Sequence, residues 1–63
     1  MPSDLVKAVA TELVNCRINR NGAPSLSNAL DLLTDKIREE VMEDAERIVA
    51  VVTKHHAEVA QNG

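Results

Sequence analysis

The sequence predicts an all-α fold: a hairpin of a short helix 1 and a long helix 2, assembling as a homodimeric helical bundle. Three observations carry that expectation. Apolar residues recur at intervals of three and four along most of the 63 residues, not at intervals of two. The one internal Gly and the one internal Pro fall together in Asn19-Arg20-Asn21-Gly22-Ala23-Pro24-Ser25, and no comparable breaker follows before Asn62-Gly63. The two segments divided there differ about twofold in length, so folding one on the other leaves part of the longer one bare.

Helix 1 is expected over about residues 3–19, with Ser3 as its N-cap. Gly22 can take the left-handed conformation that closes a helix, and Pro24 disfavours helix at the residue before it. The turn is therefore placed at 20–24. Ser25 or Ser27 can cap helix 2, with Asp31 near its positive end, and the helix is expected over about 25–61, roughly 54 Å at 1.5 Å per residue. Lys54, His55 and His56 suit the negative pole of the helix dipole. The whole of 1–63 reads as a single helical-hairpin domain.

At 100° per residue, Leu26, Leu30, Leu33, Ile37, Val41, Ala45, Ile48, Val52, His55 and Val59 share one stripe of helix 2. Their spacing is too irregular for a strict heptad coil and fits a long helix in a bundle. Helix 1 is apolar over more than half of its circumference: Leu5, Val6, Val9, Ala10, Leu13, Val14, Cys16 and Ile18. A helix with so wide an apolar arc touches more than one neighbour. Folded back, helix 1 covers only the first half of helix 2, leaving Ile48, Val51, Val52 and Val59 bare. A second copy of the chain is the simplest cover. The interface with that copy or with another protein is assigned to Leu5, Val9, Leu13, Leu30, Leu33, Ile37, Val41, Ile48, Val52, His55 and Val59.

Composition removes many function classes. The size excludes a bilobal enzyme, a dinucleotide-binding fold and a closed barrel. With no Phe, Trp or Tyr, no phenyl, phenol or indole ring is present on which a base, sugar or methylammonium group could stack. A single Cys allows no intrachain disulfide, and on the helix 1 face Cys16 reads as a small buried hydrophobe. Met1-Pro2-Ser3-Asp4 does not open a signal peptide, and no apolar run reaches the roughly 20 residues that span a bilayer, so a cytoplasmic location is expected. The net charge of −3 is uneven: +1 over residues 1–24 and −4 over 25–63. Nucleic-acid backbones recruit clustered Lys and Arg, and here only Arg17 and Arg20 could form such a patch.

Three side-chain groupings could bear chemistry. Glu39-Glu40-Val41-Met42-Glu43 has the form E-E-x-x-E, and clustered carboxylates suit Mg²⁺. Over these five residues the chain resembles the first half of the metal-binding signature of the all-α nucleotide pyrophosphohydrolases of the MazG type. The resemblance implies a metal-dependent hydrolase, but the family's second half, an E-x-x-D, has no counterpart: Gln61 stands three residues after Glu58. The same carboxylates, with Asp31 and Asp35, also form the i, i+4 row of a solvated acidic face. His55-His56-Ala57-Glu58 lacks both the order and the further ligands of a di-iron bundle. His55 reads either as a wet helix end or, paired with its symmetry mate, as a pH sensor that weakens the dimer between about pH 7 and 5. Asp44, at the edge of the stripe, is either a surface carboxylate or the partner of a cation such as Arg17 or Arg20.

No complete active site, metal site or cofactor site is expected, and the chain is read as a non-enzyme. The leading functional reading is a small homodimeric regulatory or adaptor protein of inhibitor, antitoxin or anti-activator type, acting on another protein and not at a membrane. The alternative is a nucleic-acid-associated dimer, since in length and hairpin form the chain is similar to the plasmid RNA-binding regulator Rop. Ser27, Ala29, Leu33, Ile37 and Ala45 also loosely resemble the long central helix of the histone fold, with the opposite charge. A truncated pyrophosphohydrolase is the remaining reading.

Overall fold

The computed structural model describes the backbone of residues 4–62 and the side chains of residues 4–59. The expected cap Ser3 lies outside the described residues. The chain forms helix α1, Asp4–Arg20; a 3₁₀ turn, Ala29–Leu32; and helix α2, Asp35–Asn62. No strand is present among the described residues. α1 packs on α2 as a helical hairpin: Leu13 lies beside Asp44 and Ile48, while Val14 and Arg17 lie beside Ile37, Glu40 and Val41.

The end of α1 is built as its sequence predicts. Gly22 has φ +88°, its N–H donates to the Asn19 carbonyl at 3.0 Å, and the Ala23 N–H donates to the Ile18 carbonyl at 3.2 Å. This pair of bonds around a left-handed Gly satisfies carbonyls that the helix itself leaves open. A Cβ on Gly22 would meet nothing within 4 Å, so a substitution there is felt through the backbone alone. Gly22→Ala is expected to cost about 1 kcal/mol of stability in a urea titration at fixed protein concentration.

The start of α2 departs from expectation. The long helix begins at Asp35, not at 25, and at 28 residues it is about 42 Å long. Three side chains from the flanking helices hold the intervening segment out of the helix. Asn15 of α1 makes two 2.9 Å bonds to Leu26: its Nδ2 donates to the carbonyl and its Oδ1 accepts from the N–H. One turn on, Asn19 Nδ2 donates to the Ala23 carbonyl at 3.0 Å and Asn19 Oδ1 accepts from Ser25 Oγ at 3.2 Å. Ser25 is thus tied to α1 and caps nothing. From the other side, Arg38 Nε donates to the Leu30 carbonyl at 2.9 Å and Nη2 to the Leu33 carbonyl at 3.0 Å, while Nη1 pairs with Asp35 Oδ1 at 3.0 Å. Thr34 is the cap: its Oγ1 accepts from the Ile37 N–H at 3.3 Å and its carbonyl from the Arg38 N–H at 2.9 Å.

The core is small and close-packed. Val6, Ala10, Leu30 and Ala45 are buried together, with Val9, Leu13, Val14, Leu33, Val41, Met42 and Val49 packed around them. Ala10 and Ala45 have no exposed surface, so the helices meet where their side chains are smallest. The wide apolar arc of α1 does find two neighbours, α2 and the chain's own 3₁₀ turn. Cys16 falls outside both contacts and is exposed, not buried. The inward place falls to the next residue back, Asn15, which is 4% exposed.

The molecule is one helix layer thick, with extents of 41 × 26 × 15 Å. Its radius of gyration is 13.7 Å, against about 10.6 Å for a compact chain of this length. No helix among the described residues is long and apolar enough to cross a membrane.

Candidate protein-interaction surface

A shallow groove runs between the two helices. Leu13, Val14 and Arg17 form one wall, and Leu33, Ile37, Glu40, Val41 and Asp44 form the other. It continues past Leu13 and Asp44 to Arg47 and Ile48. The lining is mostly apolar and carries both signs of charge, Arg17 against Glu40 and Asp44. Ile37 and Ile48 are 43% and 39% exposed although α1 lies beside them.

Beyond Ile48 the stripe leaves the cover of α1. Residues 51–59 are all exposed, and Val51, Val52 and Val59 keep 67%, 61% and 54% of their surface in water. The groove and this overhang lie on one stripe of α2, Ile37 to Val59, with Asp44 and His55 its polar members.

The residues assigned to an interface from sequence fall into three groups. Leu30 is buried in the hairpin's own core. That position belongs to the 3₁₀ turn, which folds it under α1, and so it presents no outward surface. Val9, Leu13, Leu33 and Val41 are half-buried, sharing their surface between the core and the outside. Leu5, Ile37, Ile48, Val52, His55 and Val59 are exposed.

The chemistry-bearing groupings are dispersed. Glu39, Glu43 and Glu46 lie with Asp35, Arg38 and Met42 on a surface apart from the groove, while Glu40 lines the groove itself. No group of three or more His, Cys, Asp or Glu side chains among the described residues is placed to hold a metal ion. His55, His56 and Glu58 are exposed on the overhang. Asp44 and Arg17 line the same groove within one chain.

The sequence reading missed the two residues that place the loop between the helices, one of which also holds the groove wall at Leu33. Arg38 fixes Leu30 and Leu33, and Asn15 fixes Leu26. A signal was present for the second, since Asn15 and Asn19 stand at i, i+4 immediately before the turn they hold. Comparison with protein-family models, with characterised proteins and with solved structures finds no match for this chain.

Proposed function

We propose that this chain is a small non-enzymatic helical interaction protein that works as a homodimer and docks on another protein, as an adaptor or inhibitor does. One quantity carries the reading. The chain exposes 5135 Å², where a compact globular chain of 6.9 kDa exposes about 4,000 Å². The excess of roughly 1,100 Å² is of the size that one partner buries in a standard interface, about 800 Å². It is supported by the exposed apolar side chains that follow one stripe of α2, Ile37, Ile48, Val52 and Val59, and by the groove beside it, while Leu5 and Leu32 are exposed elsewhere.

The nucleic-acid alternative rests on Arg17 and Arg20. Arg17 shares its groove with Glu40 and Asp44, carboxylates that repel a phosphate backbone. Sedimentation equilibrium tests the main reading. The expected mass is twice 6.9 kDa at micromolar concentration. A 6.9 kDa species that keeps full helicity over the whole range would dismiss it. Retention on heparin that falls steeply with salt would favour the nucleic-acid alternative instead.

A further inference from the structure

We infer that two copies pair through α2 in antiparallel order, with Ile48 on the two-fold axis, so that each copy's overhang fills the other's groove. The inference rests on the homodimer proposed above and adds its geometry.

The first observation is the spacing of the stripe. Ala45 is turned into the core, so on the outward side of α2 the stripe passes through Asp44 instead: Ile37, Val41, Asp44, Ile48, Val52, His55 and Val59 are separated by 4, 3, 4, 4, 3 and 4 residues, the same read from either end. A stripe that is symmetric about Ile48 matches an inverted copy of itself. It places Ile37 opposite the second copy's Val59, Val41 opposite its His55 and Asp44 opposite its Val52. Ile48 is also the middle of α2, which runs Asp35–Asn62.

The second observation is a fit of lengths. The groove segment Ile37 to Asp44 and the overhang segment Val52 to Val59 each rise over seven residues, about 10.5 Å. The first has α1 beside it and the second does not. Antiparallel pairing therefore lays every uncovered turn against a turn that offers a groove. A parallel pair would stack overhang on overhang and leave both grooves open.

Charge decides the same way. Residues 35–46 of α2 carry six carboxylates against Lys36 and Arg38, a net −4. Residues 47–62 carry Arg47 and Lys54 against Glu58, a net +1. Antiparallel order sets the acidic half against the basic half, with Asp44 one helical turn from the second copy's His55. Parallel order sets −4 against −4 and Asp44 against Asp44, which like charges oppose. In the antiparallel register the two His55 side chains stand about 21 Å apart along the axis, so neither meets its own mate.

Two cysteine variants in a Cys16→Ser background test the arrangement. Spin labels on Glu58→Cys are expected about 30 Å apart, twice ten residues of helical rise. Ile48→Cys is expected to cross-link between chains almost completely on mild oxidation. A dimeric mass with label separations near the roughly 10 Å spacing of neighbouring helices overturns the antiparallel order but leaves the dimer standing. A dimer with the long separation but no Ile48→Cys cross-link overturns the register. A monomeric mass instead removes the reading on which the inference rests.

Discussion

Val52→Asp is expected to weaken self-association by at least about 30-fold, the factor that corresponds to losing about 2 kcal/mol at a buried interface position. Val52 is 61% exposed in the single chain, so within the hairpin a carboxylate there stays in water. The cost arises only when a second copy closes over it, desolvating the charge and setting it opposite that copy's Asp44. Ala50 is also exposed and lies on the opposite side of α2, which makes Ala50→Asp the control: it adds the same charge to the same helix and should leave the mass unchanged. Sedimentation equilibrium with far-ultraviolet circular dichroism reads both variants. If Val52→Asp keeps its mass and its helicity, the stripe is not the contact surface.

Asn15→Leu is expected to cost about 2–3 kcal/mol of stability, measured as a shift of the urea midpoint at one fixed protein concentration. Asn15 is 4% exposed and both ends of its amide are used, one on the Leu26 carbonyl and one on the Leu26 N–H. Leucine keeps the branched shape at Cγ and removes both bonds. The loss is then two hydrogen bonds at about 1 kcal/mol each, with part of the desolvation of the Leu26 backbone added. The loop that crosses α1 would lose its middle attachment, leaving Asn19 at one end and Arg38 at the other. A midpoint within experimental error of the parent would show that these two bonds merely replace equivalent bonds to water.

How far the sequence could be read followed from how local each cause was. The end of α1 is written in adjacent residues, and Gly22 adopts the positive φ that its place after a helix calls for. The start of α2 is written locally only in its cap, Thr34, and nothing in the residues just before it breaks the helical pattern. Leu26, Leu30 and Leu33 continue the helical spacing of the residues after them, and no Gly or Pro interrupts 25–34. What keeps that stretch out of the helix comes from Asn15, eleven residues before Leu26, and from Arg38, eight residues after Leu30. Neither bond disturbs the apolar periodicity of residues 25–34. Cys16 illustrates the same limit at a single position: hydrophobicity alone placed it inward, whereas the loop that folds over α1 needed a hydrogen-bonding side chain and took Asn15 instead. The exposed stripe was legible in Ile48, Val52 and Val59 because it depends only on helical period and on the relative lengths of two helices. The groove was not, since it depends on Leu33 being held by Arg38.

A layer 15 Å thick has a chemical consequence for the amount of protein a cell must hold. If a sister molecule supplies the other half of the hydrophobic interior, as proposed above, folding is a second-order process, and the concentration of folded pairs rises with the square of the free-chain concentration until pairing is complete. Sparse chains would then stay open to proteases while abundant ones would be protected. Dosage, and not sequence alone, would then set the lifetime of this protein.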